Sequence, residues 1–137
     1  MEEEQSMILI DTDILINLFD PYKSNHAIAD KTLANLILAK TVLTVSIITE
    51  IEMIQGTKTN VEKKGLVKKL DVFKAINVTE EISDAAKQLI IQYSSSHGLM
   101  LADSFIAATA LHFDIPLFTF NKKDFRFIKN LKLYEPL

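Results

Sequence analysis

The stretch GLMLADSFIAATALHFDIPLFTFNKKDF, residues 98–125, decides the fold. It places Asp103 at the head of a run, Asp103 to Phe113, that is small or apolar almost throughout. The run turns at Asp114-Ile-Pro116 into a short apolar strand, Leu117 to Phe120, and ends in the polar cluster Asn121-Lys-Lys-Asp124. A helix that is apolar nearly all round is a buried one, and alanines at 107, 108 and 110 let a neighbour come close. Polar groups at the head of a helix and just past the end of a strand suit an open α/β sheet, whose ligand clefts lie outside the carboxyl ends of its strands. Two more acids stand in matching positions: Asp11 directly after the apolar run Met7 to Ile10, and Glu52 soon after the run Thr41 to Val45. The four separated carboxylates Asp11, Glu52, Asp103 and Asp124 are therefore expected to converge.

Outward from that stretch, the pattern alternates between strand and helix. Met7 to Ile10 reads as a strand, and Thr12 to Phe19 as a short helical segment closed by Asp20-Pro21. Apolar residues at helical spacing predict a helix from Ser24 or Asn25 to about Lys40. A strand at Thr41 to Val45 leads into a helix capped by Ser46 or Thr49, with Ile47, Ile48, Ile51 and Ile54 on its core face and Gly56 at its end. Asn60 to Lys74 is a basic amphipathic segment, followed by a short strand at Ala75 to Val78. Thr79 opens a helix to about Ser95, burying Ile82, Ala85, Ala86, Leu89, Ile90 and Tyr93. Ser94 to Gly98 reads as a loop, Lys122 to Lys129 as a short helix and Leu131 to Tyr134 as an edge strand. With no hairpin signal anywhere, the expected fold class is α/β: a three-layer α/β/α sandwich with a mostly parallel central sheet, a single domain over residues 1–137.

Composition narrows the chemistry. The chain has 137 residues, of which 48% are hydrophobic and 24% charged, enough to bury a core and too apolar for disorder. No run reaches the length of a spanning helix, and the acidic start MEEEQS lacks the features of a secretory signal, so a cytoplasmic protein without a membrane partner is expected, its residues 1–6 a disordered acidic extension. Without cysteine there is neither a disulfide framework nor a thiolate metal site, and His26, His97 and His112 have no ligand spacing. Any metal is held by oxygen. Net charge of −3 argues against general electrostatic attraction as the means of holding nucleic acid and leaves room for a local basic patch.

Asp and Glu are hard ligands suited to Mg²⁺ or Mn²⁺, with water completing the coordination. Two carboxylates about 5 Å apart repel by roughly 3 kcal/mol at an effective dielectric near 20, so four in one cleft call for a cation. Water activated by such an ion attacks a phosphodiester without a Ser, Cys or His nucleophile, and no convincing triad is present. Lys122, Lys123 and Arg126 beside Asp124 are placed to hold substrate phosphates. Each acid also has a local explanation. Asp11 and Asp103 sit where helix caps belong, Thr49-Glu-Ile-Glu52 fits a capping box, Asp124 with its lysines fits a solvated helix start, and the lysines between 63 and 69 fit a solvated face. Their joint placement on one sheet edge is what four independent caps do not require.

The motifs resemble those of the PIN domain, and within it the VapC-type toxins of toxin–antitoxin systems. Asp11-Thr12-Asp13-Ile-Leu after an apolar strand resembles the first motif, and Ser46-Ile-Ile-Thr-Glu-Ile-Glu52-Met-Ile-Gln-Gly56 the second, in a register that selects Glu52 over Glu50. Leu101-Ala-Asp103-Ser-Phe-Ile-Ala107-Ala-Thr-Ala110 resembles the third, and Thr119-Phe-Asn121-Lys-Lys-Asp124-Phe125 the fourth. The resemblance implies a Mg²⁺- or Mn²⁺-dependent endoribonuclease, often a homodimer, neutralised by a cognate antitoxin. It implies Asp11, Glu52 and Asp103 as metal ligands directly or through water, Asp124 completing the cluster, and Thr12, Thr119 and Asn121 orienting ligands or water. Asp13 stands where the family commonly has Asn or Ser, and adds a charge. Asp11-Thr-Asp13 also resembles the first motif of haloacid-dehalogenase-like phosphatases, with Asp11 as nucleophile, although no paired acidic motif follows at a later strand exit. A third reading is a PIN-fold interaction module without catalysis, which calorimetry with Mn²⁺ distinguishes.

Overall fold

The computed structural model describes residues 5–136, so the first four residues of the expected N-terminal extension lie outside the described residues. The elements in chain order are β1 (Met7–Ile10), α1 (Thr12–Phe19), α2 (His26–Leu38), β2 (Val42–Ser46), α3 (Ile47–Gln55), α4 (Asn60–Leu70), β3 (Lys74–Ile76), α5 (Glu80–His97), α6 (Leu101–Phe113) and β4 (Leu117–Phe118), followed by a 3₁₀ turn at Lys122–Asp124. All strand pairs are parallel, in the order β3-β2-β1-β4, with Met7 opposite Val42, Ile10 opposite Phe118 and Ser46 opposite Ile76. The alternation of a pleated strand divides the core between the two faces. Leu9 packs with Ile82, Ala86, Leu89, Ile106 and Ala107 of α5 and α6, whereas Ile8 and Ile10 pack with Ile14, Leu15, Leu33, Leu36 and Leu70 of α1, α2 and α4. These are the expected three layers, with helices covering both faces of a parallel sheet.

The order of strands positions the cleft. From β1 the chain steps to β2 and β3 on one side, then returns to place β4 on the other side of β1. The two crossovers diverge between β1 and β4, and a crevice opens at the carboxyl ends of strands at such a switch point. Asp11 and Thr119 are the residues just beyond those two strand ends.

Several expected boundaries move. Ser94 to Gly98 is not a loop: α5 continues to His97, whose ring stacks on Phe127 at 4.3 Å, and ends at Gly98 in the left-handed conformation with φ 68°. Only that glycine, not the weak serines before it, is a strong stop. The expected helix at Lys122 to Lys129 shrinks to the 3₁₀ turn, because Phe125 and Ile128 are drawn into the core and the backbone follows them. Residues 131–134 contribute one parallel bridge, Leu133 with Leu117, in place of an edge strand. On α3 the inward residue is Thr49, while Ile51 is 55% exposed. Apolar residues all round a short helix do not reveal which of them face the core.

Candidate active site

Asp11 ends β1 and begins α1, and its buried carboxylate is held from both sides. Oδ1 accepts the main-chain N–H of Thr12 at 2.8 Å, and Oδ2 accepts the hydroxyl of Thr119 at 2.7 Å. Asp11 is thus the N-cap of α1 as well as the acid at the head of the crevice. Thr119, buried past the end of β4, also accepts the N–H of Asn121 through its Oγ1 at 3.0 Å. The side chain of Asn121 is exposed, so its contribution comes from the main chain. Thr12 points elsewhere than expected: its hydroxyl donates to Thr49 Oγ1 at 3.0 Å, tying α1 to α3 rather than orienting an acid.

The other acids arrive from separate elements. Asp103 is not a cap, since α6 begins two residues earlier with Met100 at the N-cap, and Asp103 lies in its first turn. Glu52 does not belong to a capping box either, because Ser46 caps α3 by accepting the N–H of Ile48 at 3.1 Å; Glu52 lies exposed in the second turn. Asp124 closes the 3₁₀ turn. That these groups share one field is visible at Asp103, which is pushed from 3.8 up to about 6 first by burial and then by the charges of Asp11, Asp124 and Glu52. Asp11 is also raised, chiefly by burial, with Asp124 adding to the effect and the bonds from Thr119 and Thr12 opposing it. Asp13 is pushed up to about 7, first by burial and then by the charge of Asp11. Its role was not legible from residue spacing, although its place two residues after Asp11, in the same helical turn, signals that the two interact.

The acids converge without closing. Among the described residues, no three His, Asp or Glu side chains stand close enough to hold an ion unaided. This donor set nevertheless fits a hard cation that keeps much of its water: Mg²⁺ is commonly held by one or two carboxylates with waters between it and the rest. The charges of Asp11, Asp124 and Glu52, which add to burial in raising Asp103, are the excess that such an ion offsets. A carboxylate buried and bonded as Asp11 is makes a poor covalent nucleophile, which counts against the phosphatase resemblance. Of the three expected phosphate holders, Lys122 is engaged in an ion pair with Glu135, while Lys123 and Arg126 are exposed beside Asp124. Next to the site, a groove of about 610 Å³ runs between α1, α3 and α4, lined by Thr12, Ile16, Phe19, Glu52, Met53 and Leu66 among others.

The chain matches the PIN domain family over residues 8–130, which spans all four motifs. It is 30% identical over 139 residues to ribonuclease VapC1 of Methanocaldococcus jannaschii, covering 98% of this chain and 92% of that one. Its fold is similar to that of FitAcB from Neisseria gonorrhoeae, with a TM-score of 0.73 and 25% identity over 95% of this chain and 98% of the other. It is similar also to a toxin–antitoxin complex from Klebsiella pneumoniae, with a TM-score of 0.72 and 28% identity over 95% of this chain and 99% of that one. With Asp11 at the switch point of a parallel sheet and the family's match running from β1 to beyond the 3₁₀ turn, the chain belongs to the PIN-domain family, in its VapC-type branch.

Proposed function

We propose that this chain is a Mg²⁺- or Mn²⁺-dependent endoribonuclease and the toxin of a toxin–antitoxin pair. The observation that carries the reading is the setting of Asp103, half-buried in the first turn of α6 and in the field of Asp11, Asp124 and Glu52, three acids carried by other parts of the chain around a strand-exit crevice. Near-full-length similarity to a ribonuclease supports the activity. A bound cation supplies an activated water and offsets the charge of the phosphodiester. The chain's own residues divide the rest of the work. Asp11, Glu52, Asp103 and Asp124 hold the ion directly or through water, and Thr119 fixes the orientation of Asp11. Lys123 and Arg126 are free to meet the substrate's phosphates, with Lys122 joining them when it leaves Glu135.

The partner is an antitoxin, a reading supported by the similarity to a toxin–antitoxin complex at 28% identity. Apolar exposure on α2 and α3, at Ile28, Ile37, Leu38 and Ile51, suits such a surface, and the groove lined by Ile16, Phe19, Met53 and Leu66 runs to Glu52. That shape takes apolar anchors along its length and a basic side chain at its acidic end. A homodimer is the assembly that the family resemblance implies. Incubation of total RNA with the purified chain in Mg²⁺ and in EDTA tests the activity: cleavage confined to the Mg²⁺ arm supports the proposal, and intact RNA in both arms contradicts it.

A further inference from the structure

Asp13 is the acid that the proposed chemistry leaves unused, and its bonds reach across the fold. Its Oδ2 accepts the main-chain N–H of Phe120 at 3.0 Å and lies 3.5 Å from the hydroxyl of Thr119. Its Oδ1 is buried, and it is the single buried side-chain nitrogen or oxygen without a partner among the described residues. Helix capping does not require it, because Asp11 already caps α1.

These bonds act where the sheet has stopped. The pairing of β4 ends at Phe118, and the 3₁₀ turn begins at Lys122, so the N–H groups of Phe120 and Asn121 have no strand to receive them. Main-chain donors left by a strand are satisfied by side chains or water, and these two part-buried ones find side chains. Asp13 takes the N–H of Phe120, Thr119 Oγ1 takes that of Asn121, and the carbonyl of Asn121 in turn receives the N–H of Asp124 at 3.0 Å. The same Thr119 hydroxyl donates to Asp11. A continuous set of hydrogen bonds therefore joins Asp13 through the β4 exit to Asp11 on one side and to the turn carrying Asp124 on the other.

We propose that Asp13 is a positioning residue: it clamps the Phe120–Asn121 main chain so that Thr119 keeps its hydroxyl on Asp11 and Asp124 stays within range of Asp103. The proposal rests on the nuclease reading for its effect on rate, and on geometry alone for the clamp. Asp13→Ala removes the acceptor, whereas Asp13→Asn offers an amide oxygen to the same N–H and an NH₂ group in place of the unpartnered oxygen.

Two measurements test it. Amide hydrogen exchange in Asp13→Ala should be faster at Phe120 and Asn121 than in the parent while β1 and β2 stay protected, and Asp13→Asn should restore the protection. RNA cleavage by Asp13→Ala should lose kcat by on the order of tenfold to a hundredfold, the scale of a small misplacement of reacting groups, with KM little changed. Asp13→Asn should recover most of that loss. Unchanged exchange at Phe120 in Asp13→Ala overturns the clamp, and parental kcat in that variant, or an Asp13→Asn variant as impaired as Asp13→Ala, overturns the positioning role. A parent chain that fails to cleave RNA overturns the nuclease reading and the effect on rate, while the exchange measurement still decides the clamp.

Discussion

Thr119 donates its hydroxyl to Oδ2 of Asp11 across 2.7 Å, joining residues 108 positions apart in the chain at the two strand ends between which the crevice opens. The bond is buried and its acceptor is a carboxylate, so it does more than a surface contact would: it fixes which way the first acid of the site faces.

Thr119→Val keeps the shape of the side chain and removes that donor. A buried acceptor left unsatisfied costs about 1–3 kcal/mol, and urea denaturation is expected to show a loss of that size. RNA cleavage should fall with it at urea-free conditions where the variant is fully folded. A variant with parental stability and parental cleavage would mean that the bond neither stabilises nor orients Asp11.

Asp13 and Asp103 make stability depend on pH in the opposite sense to an ordinary paired carboxylate. Their folded values, about 7 and about 6, lie above the usual 3.8, so the native state binds more protons than the unfolded chain between them. The stabilisation from holding those protons is present at low pH and is lost as pH rises through about 4 to 7. In EDTA the melting temperature should therefore decline across that range, apart from contributions of other groups, and Asp103→Asn should flatten its lower part. An Asp103→Asn curve parallel to that of the parent would show that folding does not raise the Asp103 carboxyl.

Divalent cations should reverse that loss. An ion that binds only the native acids stabilises by mass action, about 2.7 kcal/mol at a hundredfold excess over Kd. Differential scanning fluorimetry at neutral pH should show Mn²⁺ raising the melting temperature of the parent clearly and of Asp103→Asn much less. Equal shifts in both would place the ion elsewhere, and no shift in the parent would support an interaction module without catalysis.

The antitoxin reading is tested on the groove between α1, α3 and α4. Co-expressed with its genomic neighbour, the chain should elute with it from a size-exclusion column. Ile16→Asp, which puts a charge on an exposed apolar side chain of the groove, should release the partner while leaving the fold intact. Separate elution of the parent pair would argue for a solitary nuclease.

The layers and the site were legible in the sequence to different degrees. The apolar run Met7–Ile10 ending at Asp11 and the β-branched run Thr41–Val45 ending at Ser46 marked parallel strands and their exits, and the small, apolar run from Asp103 to Phe113 marked a buried helix. What periodicity left open was orientation. It did not distinguish the outward Ile51 from the inward Thr49, nor Ser46 from Thr49 as the cap, because both pairs fit a helix start of that composition. The continuation of α5 through three serines depends on His97 stacking on Phe127, thirty residues later, a contact that local propensity does not contain. The same holds for Asp13, whose partner at Phe120 is reached only once β4 lies beside β1.

The central claim is that Asp103 serves the chemistry and not the start of its helix. Since Met100 occupies the N-cap and Asp103 makes no capping bond, Asp103→Asn should fold as the parent does and melt no lower in EDTA. The most direct measurement is RNA cleavage by this variant in Mg²⁺, alongside circular dichroism to establish that it is folded. The account predicts a loss of cleavage of on the order of a hundredfold or more, as expected when a charged ligand of a catalytic ion is replaced by a neutral one. A folded Asp103→Asn that cleaves RNA at the parental rate would contradict it.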